Sequence, residues 1–270
     1  MALLASILGV THSVKIATFN INGIRRRFEV LRRWLNQEKP DVFCLQELKC
    51  EQEVFPAGEL LDLGYQSVWM GQRSWNGVAI CSRIGEPIVT RTFLPGDGSD
   101  GQSRYIEAAV QGYIFGCIYA PNGNPKPGPK FDYKIAWLNR LVLHARSLKK
   151  SELPVILAGD FNVAPRDIDI YPTRSWDDDA LIDPKARKIL QTLVGRSWLD
   201  CLRHRYPKER IYTFWDYRRQ RFQRNAGLRI DHLLLSPSLL PRLDDAGVDS
   251  WVRGLPGASD HAPVWAKIGT

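Results

Sequence analysis

Residues 155–165 read Val-Ile-Leu-Ala-Gly-Asp-Phe-Asn-Val-Ala-Pro. Val155–Ala158 is an apolar run of strand length, rich in residues that suit a buried sheet. Asp160 and Asn162 follow it at once, so a carboxylate and an amide stand where a buried strand finishes. Working outward, the pattern repeats. Val14–Phe19 leads into Asn20 and Asn22, Val42–Gln46 into Glu47, and Ile114–Tyr119 into Pro121 and Asn122. Asp231 lies within Ile230–Leu235, and Asp260-His261 opens Ala262–Lys267. Gly77–Cys81 and Ile106–Val110 read as two further buried strands.

Between these strands lie segments of helical period. In Arg26–Glu38, Phe28, Leu31 and Leu35 fall on one face, and in Lys134–Ser147 so do Ile135, Leu138, Leu141 and Val142. Pro184–Leu193 begins with a proline suited to a first helical turn. Strands mixed with helices to the end of the chain predict an α/β domain with two packed sheets and outer helices. No low-complexity linker or repeat divides the chain, so residues 14–270 are expected to form one domain behind an N-terminal extension, residues 1–13.

Composition narrows the class. With 44% hydrophobic and 24% charged residues, the 270-residue chain has a globular balance and length enough for a large core. A net charge of +8, from 37 Lys and Arg against 29 Asp and Glu, suits a polyanionic partner. The five cysteines are irregularly spaced, form no Cys-x-x-Cys pair and point to a reducing compartment. Apolar residues 1–10 lack a preceding positive charge, and no apolar run reaches the roughly 20 residues of a membrane span, so a cytoplasmic protein is expected.

An isolated Asp or Asn beside a strand is an ordinary turn former or helix cap. Repeated acids and amides at sheet ends, with one Asp-His pair, are another matter, because unpaired buried carboxylates are unfavourable unless a cation balances them. Carboxylate, amide and water oxygens suit Mg²⁺, and clustered His and Cys ligands for zinc are missing from the sequence. Oxygen ligands beside a histidine in a basic chain point to phosphoryl chemistry.

The stretches KIATFNINGIR (15–25), DVFCLQELK (41–49), GVAICSR (77–83), YAPNG (119–123), LAGDFNVAP (157–165), YTFWDYR (212–218), GLRIDHLLLS (227–236) and SDHAPVWA (259–266) together resemble the exonuclease III family of apurinic/apyrimidinic endonucleases. That family belongs to the endonuclease/exonuclease/phosphatase superfamily. The resemblance runs from about Lys15 to Lys267. It implies a four-layered, DNase I-like α/β sandwich and a Mg²⁺ cofactor, with Mn²⁺ as substitute. It implies a monomeric DNA-repair enzyme hydrolysing phosphodiester bonds in duplex DNA, 5′ to abasic sites or at blocked or recessed 3′ ends.

The resemblance also implies roles. Glu47 would be the principal metal ligand, with Asn20 supporting it and Asp260 beside the metal. Asp160 would activate water, and Asn162, His261 and Tyr119 would meet the scissile phosphate. Asp231 would orient His261, and Asn122 would assist at the DNA backbone. Phe214 and Leu228 would wall a pocket for a sugar that has lost its base; Trp215, beside them, also reads as a core aromatic. Arg218, with Arg219, Arg221, Arg224 and Arg229, forms a basic run available to phosphates, as are Arg104 and Lys130; Asn225 and Trp75 are further DNA-facing candidates. The loop 168–180, with Tyr171, Trp176 and three successive aspartates, departs from the family pattern and is expected to tune the choice between abasic sites and 3′ ends.

A phosphatase of inositol phosphates or lipid headgroups is the alternative within the superfamily, disfavoured by GLRID, FWDYR and the basic run. A non-catalytic nucleic-acid-binding regulator is the other, disfavoured by the complete set of acids and His261.

Overall fold

The computed structural model describes residues 13–194 and 198–269. Residues 1–12 of the expected extension lie outside them; Ser13 already belongs to the first strand. Sheet A has the strand order β11-β12-β1-β2-β4-β3 and sheet B the order β5-β6-β7-β8-β10-β9. In sheet A these are β1 (Ser13–Asn20), β2 (Val42–Gln46), β3 (Gln66–Met70), β4 (Val78–Ser82), β11 (Leu243–Val248) and β12 (Val264–Gly269). In sheet B they are β5 (Ile88–Arg91), β6 (Tyr105–Val110), β7 (Tyr113–Tyr119), β8 (Val155–Asp160), β9 (Leu199–Asp200) and β10 (Asp231–Leu235). β1 is parallel to β2 and β7 to β8, and the other neighbours are antiparallel.

Alternation along the strands makes the layers. Ile16, Val42, Cys44, Val78 and Ile80 of sheet A face Ile106, Phe115, Cys117, Ile156, Ala158 and Leu233 of sheet B. The opposite face of sheet A, with Phe19, Phe43 and Leu45, is covered by α1 (Phe28–Glu38) through Leu31, Trp34 and Leu35 and by α2 (Ala57–Asp62) through Leu60. α1 stops where Lys39 turns left-handed (φ 45°) before Pro40. The outer face of sheet B is covered by α3 (Pro129–Leu148) and α4 (Pro184–Val194) through Trp137, Leu138, Leu141, Ala186 and Leu190. A short α5 (Cys201–Arg205) follows β9. The result is the expected four-layered α/β sandwich.

The eight strands read from sequence are all present, with ends shifted by up to two residues; Asp231, for instance, opens β10 instead of lying inside it. α3 begins at Pro129, five residues before the helical period becomes visible. All five cysteines are buried and unpaired. No described helix is long and apolar enough to cross a membrane.

Candidate active site

The inward-facing positions of β1 run Ile16, Thr18, Asn20; those of β7 run Phe115, Cys117, Tyr119; those of β8 run Ile156, Ala158, Asp160. The β7 and β8 series are apolar until their last residue; in β1 Thr18 is already polar and exchanges hydrogen bonds with Gln46 before Asn20 is reached. β10 runs antiparallel to β8 and starts at the same end, so Asp231 pairs with Asp160. β12 likewise returns beside β1, which brings Asp260 and His261 to that end. The candidate site is thus the terminal layer of the core between the sheets.

Glu47 lies one residue past β2, where alternation would turn it away from the core. Its left-handed backbone (φ 52°) breaks the alternation, and its carboxylate returns to accept bonds from Asn20 Nδ2 at 3.0 Å and the Tyr119 hydroxyl at 2.9 Å. Such a conformation costs about 1–3 kcal/mol in a non-glycine residue. Asn162 is also left-handed (φ 51°), and its backbone N–H donates to Asp160 Oδ1 at 2.8 Å. Gly159 admits no side chain, because an added Cβ would overlap the Ile118 carbonyl of β7.

Asn20 joins the sheets: its Nδ2 also donates to Asp160 Oδ2 at 2.9 Å. Its own oxygen accepts from the Asn22 backbone N–H, so the amide offers its NH₂ to the carboxylates and supports them instead of supplying a metal ligand. His261 Nδ1 meets Asp231 Oδ2 at 2.8 Å, which leaves Nε2 directed into the site, 3.9 Å from Asp160 Oδ2. Thr213 locks Asp231 by donating to Oδ2 at 2.6 Å. Lys49 Nζ is 2.7 Å from Glu47 Oε2 and donates to Asn22 Oδ1 at 2.7 Å. Asp260 accepts from Asn22 Nδ2 at 2.8 Å and stands one step from the carboxylate cluster.

Burial and excess negative charge shape the protonation states. Burial, then the neighbouring Asp231, raises the Asp160 pKa to about 7 despite His261. Burial also opposes ionisation of Glu47, but Lys49 and Asn20 outweigh it and hold Glu47 below its ordinary value. His261 is disfavoured as a cation by burial; Asp231 and Asp160 overcome this and raise it to about 10, an imidazolium at neutral pH. Burial and the Glu47 charge push the Tyr119 phenol up, so it stays protonated.

Glu47, Asp160 and His261 offer ligand atoms that all lie within 4.8 Å of one another. Two carboxylates, one of them with its pKa raised by burial and by the neighbouring Asp231, fit a hard divalent cation well.

The expected DNA-facing residues fare unequally. Arg104 stacks on the Tyr119 ring with its guanidinium 4.8 Å from the centroid. Asn122 is exposed and its Nδ2 donates to Asn162 Oδ1 at 3.4 Å. Lys130, Arg218 and Asn225 are exposed. Trp75 is 69% exposed, with Lys49 Nζ 6.0 Å from its ring. Phe214 is partly exposed and packs on the His261 ring at 4.9 Å.

Three expectations are corrected. Leu228 has no exposed surface; it packs with Trp176, Leu181 and Ile230. Trp215 is buried and its indole N–H donates to Asn225 Oδ1 at 3.1 Å, a structural pair. Arg229 and Arg221 leave the basic surface: Arg229 is fully buried against Asp169 and Asp200, and Arg221 stacks 4.0 Å above Trp176. Lys49, Asn22 and Thr213 were missed as site residues, although all three lie inside the quoted stretches, within two residues of Glu47, Asn20 and Phe214.

A sequence model described as "Endonuclease/Exonuclease/phosphatase family" matches residues 17–261. An exodeoxyribonuclease III of Haemophilus influenzae is 33% identical over 94% of this chain and 100% of its own length. The structure of a 3′-5′ exonuclease (NExo) from Neisseria meningitidis superimposes with a TM-score of 0.91 at 39% identity, covering 95% of this chain and 100% of that one. A second NExo structure, described as a 3′ phosphatase bound to product DNA hairpin, gives 0.89 at 37% identity over 95% and 100% of the two chains. An AP endonuclease from Archaeoglobus fulgidus gives 0.88 at 35% identity, again over 95% and 100%. A match spanning residues 17–261 and a relative covered end to end establish that the chain belongs to the endonuclease/exonuclease/phosphatase family.

Proposed function

We propose that the protein is a Mg²⁺-dependent DNA-repair nuclease that hydrolyses phosphate ester bonds in duplex DNA, at blocked or recessed 3′ ends in preference to abasic sites. One observation carries this reading: Glu47, Asp160 and Asn162 converge with an Asp231-held His261 at one end of both sheets. Glu47 and Asp160 would hold the metal, with Mn²⁺ as substitute. When bound, it supplies positive charge to the phosphate and lowers the pKa of water.

The chain's own groups supply the rest. Asp160, fixed by bonds from Asn20 and Asn162, accepts the proton of the attacking water. His261 donates from Nε2 to a phosphate oxygen while Asp231 keeps the ring oriented. The protonated Tyr119, which donates to Glu47, and the exposed amide of Asn122 stand on the same side, while Asn162 spends its Nδ2 hydrogens on the Ala120 carbonyl and on Asp160 and so holds that carboxylate. Arg104, Lys130, Arg218 and Trp75 serve the flanking DNA.

The preference for 3′ ends rests on packing. The two side chains expected to wall a pocket for an extruded sugar, Phe214 and Leu228, lie in one cluster filled by Trp176 of the 168–180 loop, whose ring is 6.5 Å from that of Phe214. A terminal phosphate needs no extrusion. All groups invoked come from one chain, consistent with a monomer formed by residues 14–270, and five unpaired buried thiols are consistent with the cytoplasm.

The test is cleavage of defined duplexes carrying a 3′-phosphate, a plain recessed end or an internal abasic site, with and without Mg²⁺. We expect Mg²⁺-dependent turnover of the first two to exceed that of the third. Equal or greater turnover at the abasic site overturns the preference; no turnover of any duplex overturns the reading itself.

A further inference from the structure

One lysine lies inside the protein. Lys134, on α3, has no exposed surface, and its three N–H donors are all used. They go to the main-chain oxygens of Asn122 at 2.9 Å, Asn162 at 2.7 Å and Ala180 at 2.8 Å. Those carbonyls belong to the loop after β7, the loop after β8, and the end of the 168–180 loop. No carboxylate bonds the ammonium directly. Burial lowers its pKa to about 7, although Asp160, Asp179 and Asp183 act in the opposite direction.

A cation kept here is not explained by volume, since a methionine fills similar space without desolvating a charge. What the position supplies is a point at which three carbonyl dipoles meet. The neighbourhood is built around it. Gly123 sits against the lysine stem, where an added Cβ would be 2.5 Å from Cδ. Asn124 clasps the same loops by donating to Asp179 Oδ1 at 2.8 Å and accepting from the Ala180 N–H at 2.9 Å, and Lys126 pairs with Asp183 at 2.8 Å. Of the gathered residues, Asn122 carries the exposed amide that would meet the phosphate, and Asn162 holds Asp160 through its backbone N–H and its Nδ2.

We propose that Lys134 is a positioning residue: its ammonium gathers the main chains of three loops and so sets where Asn122 presents its amide to the reacting phosphate and where Asn162 holds Asp160. The proposal rests on the nuclease reading above. The Lys134 ammonium is buried and spent on those three carbonyls, so its loss displaces Asn122 and Asn162 but leaves Arg104, Lys130, Arg218 and Trp75, which serve the flanking DNA, in place. A displacement of about 1 Å at such donors lowers a rate by up to about a hundredfold.

The experiment compares Lys134→Met, Lys134→Gln and Lys134→Arg with wild type on a 3′-phosphate duplex at saturating Mg²⁺. Rates are expressed per folded molecule, from circular dichroism below each variant's melting temperature. Mn²⁺ affinity is read by electron paramagnetic resonance. We expect kcat of the Met and Gln variants to fall by about 10–100-fold, with KM within about threefold and Mn²⁺ affinity within about twofold. Arg, which keeps the cation and N–H donors, should recover about tenfold over Met. A merely structural role moves the melting temperature and leaves kcat per folded molecule unchanged, and that result overturns the proposal. So does a loss confined to KM, or failure of all three variants to fold. Inactive wild type would instead remove the nuclease reading.

Discussion

Two clusters of buried charge adjoin along one stretch of chain, reached from Arg229 and from Asp231. In the first, Arg229 bonds Asp169 at 2.7 Å and Asp200 at 2.7 Å, and Arg203 bonds Asp169 at 2.5 Å. Two cations meet two anions. Burial opposes ionisation of both acids, but Arg229 outweighs it and holds them below their ordinary pKa. His232, between them, is kept from protonating by burial and by Arg229. In the second cluster Glu47, Asp160 and Asp231 face His261 and Lys49, three acids to two cations, and burial first, then Asp231, raises the pKa of Asp160. The balanced cluster needs nothing added, whereas the unbalanced one is suited to take up a cation. Burial of charge alone therefore does not mark a functional site; the sign of what is left over does.

The comparison breaks if the balanced cluster can be dismantled cheaply. Arg229→Met should lower unfolding free energy by about 3–5 kcal/mol, because it leaves buried Asp200 without its cation and Asp169 with Arg203 alone. Urea denaturation measures this, and a loss under about 1 kcal/mol would contradict it. Glu47→Ala should do the reverse, reducing cleavage by about 10²–10³-fold, roughly 3–4 kcal/mol in barrier, while the melting temperature stays near wild type. Wild-type turnover in that variant would remove Glu47 from the site.

A third measurement sharpens the contrast without reference to activity. Mg²⁺ at about 100 times its Kd should stabilise the wild type by about 2.7 kcal/mol. Scanning calorimetry should show the shift retained by Arg229→Met and abolished by Glu47→Ala; a shift surviving in both places the cation elsewhere.

The pH dependence has the gentlest slope, at most about 1.4 kcal/mol per pH unit for each group. Asp169 and Asp200 have depressed pKa values, so their contribution is complete above the unfolded carboxylate value and is lost as pH falls through the folded one. His261 is raised from 6.5 to about 10, so its contribution is complete below 6.5 and is lost as pH rises to about 10. Asp231→Asn, measured metal-free, should flatten the alkaline limb. An unchanged alkaline limb would mean that Asp231 does not hold the histidine proton.

What the sequence made legible follows from how each residue is solvated. The eight strands read from it are the interior strands of the two sheets; the four it concealed, β3, β5, β9 and β11, are the four edges. An edge strand bonds on one side and faces water, so β5 is exposed throughout and β11 carries Asp244 and Asp245, without the apolar run that marks an interior strand. The site was legible where alternation carried it, at Asn20, Tyr119, Asp160 and Asp231. Arg229 was misread because its anions lie 60 and 29 residues away, and within its own stretch it is one arginine among several. Lys134 falls in a helix where nothing local signals three converging carbonyls.

The order of sheet A has a further consequence. β12 lies between β11 and β1, and its approach delivers Asp260 and His261 to Asn20. The first strand described and the last are hydrogen-bonded partners, from Ser13 opposite Gly269 to Thr18 opposite Val264. During synthesis, then, Glu47 and Asp160 leave the ribosome long before the histidine that complements them. A nascent chain stopped short of Ser259 should therefore leave duplex DNA intact, and cleavage by such a stalled chain would refute this. The cut therefore waits for the last-made part of the site.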